Sequence, residues 1–208
     1  MAEILQAGAP LVRARAAAVL VHGRGASAED ILSLADEFGQ DDIAYCAPQA
    51  PGGSWYPYSF LAPLEQNEPY LSQALATVGA LLERLAGESF APERVALIGF
   101  SQGGCLTLEY AARNARRYGA VAGLSAGLIG PPATPRDHPG SLAGTPVFLG
   151  CSDIDPHIPL QRVHESRDVL GRMGAAVTQR IYPNMGHTVN ADEIAHVGKL
   201  LAGFGAVP

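Results

Sequence analysis

The residues best suited to chemistry lie in a glycine-rich segment near the middle of the chain. Gly99-Phe100-Ser101-Gln102-Gly103 has the pattern Gly-x-Ser-x-Gly and separates a strand-like apolar run from a stretch with helical spacing. Such a segment is predicted to form a sharp strand–helix turn that exposes the serine hydroxyl, with glycines where side chains would collide with neighbouring backbone. Unpaired N–H groups at the start of the helix favour negative charge nearby. The pattern indicates that Ser101 is a nucleophile.

A serine nucleophile needs a base, which in this arrangement follows both the serine and the acid along the chain. Five histidines lie downstream of the serine: His138, His157, His164, His187 and His196. His187 lies in a loop between the last strand-like run and the last helix, where a base facing a ligand crevice is expected. His164 and His196 fall inside predicted helices. His138, in a proline-rich loop, is a second choice. We predict that His187 is the base.

The acid is less clearly marked, because two carboxylates follow the preceding strand-like run. Asp153 and Asp155 are two positions apart, and residues two apart on extended backbone point to the same side. Either carboxylate could instead stabilise a turn or the helix start near Pro159. Spacing alone leaves both candidates open.

The elements that must position these residues alternate along the chain. Six short runs are apolar nearly throughout: 17–21, 43–47, 95–100, 120–124, 147–151 and 177–182. Helical spacing covers five longer stretches: 27–38, 71–85, 102–117, 159–173 and 190–204. Continuous rather than alternating apolar strands predict a mostly parallel sheet covered by helices on both faces. Since no linker or repeat divides the sequence, we expect a single α/β domain over residues 1–208.

Composition excludes several classes of function. The 208 residues include 14 Lys and Arg against 20 Asp and Glu, a net charge of -6, whereas proteins that bind nucleic acid usually present a basic face. No apolar run approaches the roughly 18–20 residues of a membrane span, and no signal peptide is evident, so a cytoplasmic protein without membrane insertion is expected. The three cysteines form no Cys-x-x-Cys pair. Neither a metal site nor a cofactor fingerprint is present, and no cofactor is expected.

Two long loops follow predicted strands and are therefore expected to reach the ligand crevice. They span residues 48–63 and 129–145, and both are rich in proline. The first contains four aromatic residues, including the only tryptophan: Trp55, Tyr56, Tyr58 and Phe60. These side chains could line an acyl pocket or simply pack the loop against the core. We take Trp55 as a candidate substrate-binding residue.

Three motifs together resemble those of a known family. Gly99-Phe100-Ser101-Gln102-Gly103-Gly104, Asp155-Pro156-His157-Ile158-Pro159 and Gly186-His187 are similar to motifs of the phospholipase/carboxylesterase family of α/β-hydrolases. This family includes small bacterial carboxylesterases and the acyl-protein thioesterases, and the resemblance extends over about residues 17–204. It implies an α/β-hydrolase fold without a large lid domain, and it implies that Asp155, directly before proline, is the acid.

The resemblance also implies an oxyanion hole. His22-Gly23-Arg24-Gly25 is similar to the family's His-Gly-x-Gly motif, so the backbone N–H groups of Arg24 and Gln102 are implied as the donors. His22 itself is expected to be structural. Arg24 departs from the thioesterase branch, where this position is usually apolar. A guanidinium beside the scissile bond makes Arg24 a candidate substrate-binding residue and predicts short or polar acyl groups. The alternative is that Arg24 turns outward, pairs with an acidic residue such as Glu65 or Asp153, and only supports a loop.

These features together predict a serine hydrolase of small-molecule carboxylic esters or thioesters. The expected reaction proceeds through an acyl-enzyme, with Ser101, Asp155 and His187 as the triad. A dienelactone-type hydrolase is an alternative that the serine at the elbow disfavours. A non-catalytic binding protein with a hydrolase fold is the alternative from another class. A homodimer is compatible with the sequence.

Overall fold

A seven-stranded sheet forms the centre of the computed structural model, which describes residues 2–204. The strands are β1 (Ile4–Gly8), β2 (Ala16–Val21), β3 (Ile43–Pro48), β4 (Val95–Phe100), β5 (Ala120–Leu124), β6 (Pro146–Ser152) and β7 (Ala176–Tyr182). Their order across the sheet is β1-β3-β2-β4-β5-β6-β7. All neighbouring pairs are parallel except β1 with β3. The predicted, mostly parallel sheet is confirmed.

Seven α-helices cover this sheet within the described residues. They are α1 (Ala28–Leu32), α2 (Leu34–Glu37), α3 (Leu64–Asn67), α4 (Tyr70–Gly87), α5 (Gln102–Arg113), α6 (Leu160–Arg172) and α7 (Ala191–Ala202). Apolar side chains of α4, α5 and α6 pack on one face of the sheet. Those of α1, α2 and α7 pack on the other face. Because both faces are covered, strands β2, β3 and β5 are buried along their whole length, which explains their continuous apolar sequence.

The α/β-hydrolase fold class is confirmed, with no large lid domain within residues 2–204. Three local features differ from the prediction. Strand β1 was not predicted, because it is a short, half-exposed edge strand with no continuous apolar run. The helix predicted over 27–38 is divided at Ser33, whose hydroxyl donates to the Asp30 carbonyl at 2.7 Å. Helix α5 was predicted to continue to residue 117 but ends at Arg113. The side-chain amide of the next residue, Asn114, donates to the Tyr110 carbonyl and caps this end.

The parallel strands bring the carboxyl ends of β2, β4, β6 and β7 to one edge of the sheet. The segments that follow these strands carry Arg24, Ser101, Asp155 and His187. Ligands bind at this edge in open α/β sheets. Across the described part of the chain, no helix has the length and hydropathy that a membrane crossing requires.

Candidate active site

Ser101 occupies a strained turn between β4 and α5. Its φ is 55° and its ψ is -122°, a conformation that a non-glycine residue adopts only when its surroundings enforce it. The Ser101 N–H donates to the Leu124 carbonyl at 2.9 Å. A Cβ at Gly103 would overlap the carbonyl oxygens of Val21 and His22, and a Cβ at Gly99 would overlap the Gly103 carbonyl. The two glycines therefore permit the close packing that fixes the serine.

Ser101, His187 and Asp155 form a continuous hydrogen-bonded series. His187 Nε2 lies 2.8 Å from Ser101 Oγ, and His187 Nδ1 lies 2.8 Å from Asp155 Oδ2. The Asp155 side chain is fully buried, whereas the His187 side chain keeps 17% of its exposure. An imidazole held between a hydroxyl and a buried carboxylate can take the hydroxyl proton.

Asp155 is held as a carboxylate. Burial raises its pKa, but the hydrogen bond with His187 and those donated by the backbone N–H groups of His157 and Ile158 outweigh burial, so the pKa is lowered. The two amides donate to Oδ1 at 2.8 and 3.0 Å. This leaves Oδ2 to face the imidazole. The orientation of the carboxylate is thereby fixed from behind.

Asp153 makes a different set of contacts. Its Oδ1 accepts from the Asn184 N–H at 2.8 Å, and its own N–H donates to the Tyr182 carbonyl at 3.2 Å. Asp153 is exposed and ties the loop after β6 to the loop that carries His187. Its position corresponds to the turn-stabilising alternative considered for the two carboxylates.

The backbone N–H groups of Arg24 and Gln102 are free to bind an oxyanion. Neither N–H donates to an acceptor within residues 2–204. The turn that carries Arg24 lies beside the nucleophile, since a Cβ built on Gly23 would be 3.4 Å from the Ser101 Cβ. Free, fixed amides beside a nucleophile are the donors that a tetrahedral intermediate requires.

His22 has the structural position expected for it. It is completely buried, and its Nε2 accepts from the Ala50 N–H at 3.1 Å. Its Nδ1 lies 2.8 Å from the Gly23 carbonyl. Burial lowers the pKa of His22, which favours the neutral ring that these two contacts require.

The Arg24 side chain binds residues 54–60, which we call the aromatic loop. Its Nη1 donates to Ser54 Oγ at 3.1 Å and to the Pro57 carbonyl at 2.9 Å, and its Nη2 donates to the Tyr58 carbonyl at 2.7 Å. Of the alternative considered for Arg24, the acidic partners are wrong, because neither Glu65 nor Asp153 pairs with the guanidinium within residues 2–204. The support of a loop is observed, since all three bonds go to the aromatic loop. Arg24 nevertheless lines the cavity beside Ser101.

Gln102 holds the same loop from the other side. Its Nε2 donates to the Tyr56 carbonyl at 2.8 Å, and its Oε1 accepts from the Trp55 N–H at 3.0 Å. Both residues that offer amides for an oxyanion therefore also fix the aromatic loop with their side chains. These contacts could not be predicted from the sequence, because the partners are more than 25 residues apart along the chain.

A cavity of about 550 Å³ opens beside Ser101. Its lining includes five consecutive residues of the aromatic loop, Tyr56, Pro57, Tyr58, Ser59 and Phe60, together with Cys105, Ile158 and the polar residues Arg24, Gln102, His157 and His187. An apolar wall with few polar groups is typical of a small-molecule site.

Trp55 does not line this cavity, contrary to the expectation that it contacts substrate. Its side chain is 3% exposed and its ring packs on His22 with a centroid separation of 5.1 Å. The indole N–H donates to the His22 carbonyl at 2.8 Å. Trp55 packs the aromatic loop against the core because its only polar atom is satisfied there.

The loop over residues 129–145 was expected to reach the same crevice, and this expectation is wrong. None of its residues is among those that line the cavity beside Ser101. Pro131, Thr134 and Arg136 instead line a separate cavity of about 300 Å³ against α6. The loop supports the active site indirectly, since the Gly130 N–H donates to the Phe60 carbonyl at 2.7 Å.

His157 is a cavity residue that sequence reasoning did not single out. Its ring meets the His187 ring edge-on, with centroids 4.8 Å apart. Its position in the sequence could have identified it. His157 is two residues after Asp155, in a segment that must turn back toward the nucleophile.

Within residues 2–204, no cluster of three or more His, Cys, Asp or Glu side chains is arranged to hold a metal ion. All three cysteines, Cys46, Cys105 and Cys151, are buried and unpaired.

The loop that carries His187 leads into helix α7, whose first turn contains the buried acid Glu193. Asn190 caps α7, and Glu193 Oε2 accepts from the Asn190 N–H at 2.9 Å. The other oxygen of Glu193 has no hydrogen-bond partner within the described residues. Burial raises the pKa of Glu193 to about 7.

This acid makes stability depend on pH. The folded protein keeps the Glu193 proton up to about pH 7, whereas the unfolded chain loses it near pH 4.3, so stability falls as pH rises between these values. We expect Glu193→Gln to gain on the order of 2–3 kcal/mol relative to the wild type between pH 4.5 and pH 8. Urea unfolding at both pH values measures this difference. Glu88→Gln, at an exposed position, is the control, and an equal pH dependence of wild type and Glu193→Gln would contradict the prediction.

Comparison with known proteins identifies relatives over nearly the whole chain. The model of a family described as Phospholipase/Carboxylesterase matches residues 3–203. The crystal structure of a phospholipase/carboxylesterase from Dyadobacter fermentans is 44% identical, covers 97% of each chain and has a TM-score of 0.93. The carboxylesterase of Bacillus cereus shares the fold, with a TM-score of 0.79 at 19% identity over 97% of this chain and 94% of that one.

Similarity to a curated sequence is more limited in extent. Acyl-protein thioesterase 1 of Gibberella zeae is 30% identical over 126 residues, which is 58% of this chain. The chain spans about half of that relative, 52% of its length.

Proposed function

The chain belongs to the phospholipase/carboxylesterase family of α/β-hydrolases, and from this premise we propose that it hydrolyses small-molecule carboxylic esters with Ser101, His187 and Asp155 as its triad. We also propose that residues 1–208 act as one domain. The observation that carries the proposal is the pair of 2.8 Å contacts that link serine, imidazole and carboxylate. Thioesters are a second substrate class of the same reaction, because the acyl transfer steps are the same.

In the first half of the reaction, Ser101 Oγ attacks the ester carbonyl carbon while His187 Nε2 accepts the hydroxyl proton. Asp155 keeps the second imidazole proton on Nδ1 and stabilises the imidazolium. The carbonyl oxygen becomes an oxyanion that accepts hydrogen bonds from the Arg24 and Gln102 amides. The bond to the leaving oxygen or sulfur then breaks, His187 returns the proton to it, and the acyl group remains on Ser101.

In the second half, water replaces the alcohol. His187 takes a proton from the water as it attacks the acyl carbonyl, and the same two amides stabilise the second oxyanion. Collapse of this intermediate releases the carboxylic acid, and His187 returns its proton to Ser101 Oγ. The steps need only the residues named here and water.

A covalent probe tests this function directly. A fluorophosphonate should add a single phosphonyl group to the peptide that contains Ser101, and the labelled enzyme should no longer hydrolyse p-nitrophenyl acetate. Competition with an ester substrate should slow the labelling. A native protein that neither reacts with the probe nor hydrolyses any ester of an acetate-to-palmitate panel would support the non-catalytic binding alternative instead.

Chain-length preference is expected to depend on Arg24. A guanidinium in the cavity wall should disfavour a long alkyl chain, because the chain covers charged N–H groups without satisfying them. We expect the wild type to have its highest kcat/KM on acetate or butyrate esters and Arg24→Leu to gain on palmitate relative to acetate. The oxyanion donor is a backbone amide and is kept in Arg24→Leu. Because the substitution also removes the three bonds that hold the aromatic loop, the palmitate-to-acetate ratio is compared, in which a general loss of activity cancels.

The measurement is a p-nitrophenyl ester series from acetate to palmitate on both proteins. Arg172→Leu, an exposed arginine on α6, is the matched control and should reproduce the wild-type profile. A wild type that prefers palmitate, or an unchanged profile in Arg24→Leu, would mean that the guanidinium does not shape the pocket.

The state of the cysteines bears on the cellular compartment in which the enzyme acts. Three buried free thiols support a reducing compartment, so we propose that the enzyme acts in the cytoplasm.

A further inference from the structure

The cavity beside Ser101 is cationic although the chain as a whole is acidic. The full chain has 20 acidic and 14 basic residues, yet within the described residues neither Asp nor Glu lines this cavity, while Arg24 does. The carboxylate of Asp155 is fully buried behind His187. A cleft that presents one sign of charge attracts ligands of the opposite sign. The local charge therefore favours an anionic ligand.

The Arg24 guanidinium keeps part of its binding capacity. Of its five N–H groups, two on Nη1 and one on Nη2 donate to the aromatic loop. The Nε–H and one N–H of Nη2 have no acceptor within residues 2–204. Nε and Nη2 lie on one edge of the guanidinium plane, and two parallel donors on one edge match the two oxygens of a carboxylate. The bonds to the loop hold the group in place before a ligand arrives.

His157 adds a second donor to the same cavity. Its backbone N–H donates to Asp155 Oδ1 at 2.8 Å, which fixes the position of the His157 backbone. Its ring stands edge-on to the His187 ring. No ring nitrogen of His157 has a partner in the part of the chain that is described. An imidazole carries at least one N–H in either protonation state, so His157 can donate to an anion throughout the working pH range.

We propose that the preferred substrates are esters that carry a free carboxylate, bound by the open edge of Arg24 and by the imidazole of His157. The inference rests on the hydrolase function proposed above and names the substrate class of the same site. The carboxylate could belong to the acyl part, as in a monoester of a dicarboxylic acid, or to the alcohol part, as in an ester of a hydroxy acid.

The test compares anionic esters with neutral partners of similar shape. For the acyl side, the pair is p-nitrophenyl hydrogen glutarate and its methyl ester. For the alcohol side, the pair is 4-carboxyphenyl butyrate and 4-carbamoylphenyl butyrate. For one of the two pairs, the wild type should hydrolyse the anionic ester with a kcat/KM about tenfold to 100-fold that for its neutral partner. This is the range expected for charge-assisted hydrogen bonds. About 0.5 M NaCl should reduce that ratio.

Substitutions assign the preference to residues. Arg24→Gln should bring the ratio close to one, and His157→Gln should lower it at least about threefold. The ratio cancels any general loss of activity from a displaced aromatic loop. His157 is exposed and its backbone bond to Asp155 survives the substitution, so this variant reports on the site even if Arg24→Gln fails to fold. Arg172→Gln is the control and should leave the ratio unchanged.

A binding measurement separates the substrate class from the chemistry. Titration calorimetry on Ser101→Ala should show tighter binding of monoethyl glutarate, or of 4-carboxyphenyl butyrate, than of diethyl glutarate or 4-carbamoylphenyl butyrate. Ratios near one in both ester pairs, or ratios that neither variant changes, would overturn the carboxylate site and leave the hydrolase function intact. Preferential binding without any ester turnover by the wild type would overturn the hydrolase function and keep the carboxylate site.

Discussion

Replacing Ser101 with alanine is expected to lower kcat for ester hydrolysis by on the order of 10⁴- to 10⁶-fold. The hydroxyl lies 2.8 Å from His187 Nε2 and is its hydrogen-bond partner within residues 2–204. Without it no acyl-enzyme can form. Substrate binding and the fold should be retained, because alanine removes one atom from a turn that the backbone already fixes. Steady-state kinetics on p-nitrophenyl acetate, corrected for spontaneous hydrolysis, give the measurement.

A second serine provides the control for this substitution. Ser59 lines the same cavity, and in the described part of the chain its hydroxyl accepts one hydrogen bond, from the Leu61 N–H. Ser59→Ala should therefore cost less than about tenfold, the range of one ordinary hydrogen bond. If Ser101→Ala kept more than a tenth of wild-type activity, the proposed mechanism would be wrong.

The same base accounts for the expected dependence on pH. Only a neutral His187 can accept the Ser101 proton, so kcat/KM should fall on acidification. Asp155 cannot account for this fall, because its hydrogen bonds lower its pKa and keep it ionised. A flat profile between pH 5 and 8 would count against a histidine base.

The sequence was most informative where the signal is local. The elbow around Ser101 could be predicted because strand, turn and helix are contiguous, and the six parallel strands could be predicted because burial on both faces leaves continuous apolar runs. Strand β1 could not, since its pairing with β3 involves residues about 40 positions away and its own sequence is short and half exposed.

The choice between the two carboxylates shows a limit of periodicity. Asp153 and Asp155 would point the same way on extended backbone, but the chain turns immediately after β6, where the Ile154 N–H donates to Ser152 Oγ at 3.1 Å. The turn sends Asp153 toward Asn184 and Asp155 toward His187. A side chain competing for a backbone donor changed the geometry on which the sequence argument depended.

The contacts of Arg24 and Trp55 show a second limit. Arg24 binds acceptors 30 to 34 residues away, and the Trp55 indole donates to a carbonyl 33 residues away. Composition identified the aromatic loop as unusual. These distant partners determine which face of the loop meets the cavity. The sequence could therefore name the loop without assigning its residues.

The Asp155 carboxylate is expected to matter nearly as much as the nucleophile. In Asp155→Asn, the amide oxygen should keep the two backbone N–H groups of His157 and Ile158, which now bind Oδ1. The amide NH₂ would then face His187 Nδ1, which must accept, so the ring proton moves to Nε2. A protonated Nε2 cannot take the proton of Ser101, and kcat should fall by up to about 10⁴-fold, as the equivalent substitution does in serine proteases.

Asp153→Asn is the matched control for this prediction. Its side-chain oxygen can still accept from the Asn184 N–H, and it has no contact with His187, so kcat should fall by less than about tenfold, as for the loss of part of one surface hydrogen bond. Both variants are isosteric with the wild type, and unchanged thermal unfolding would show that kcat reports on the site alone. Equal losses in the two variants would contradict the assignment of the acid, and a larger loss in Asp153→Asn would move that role to Asp153. The large, one-sided loss is expected because only Asp155 is buried, ionised and in contact with the imidazole.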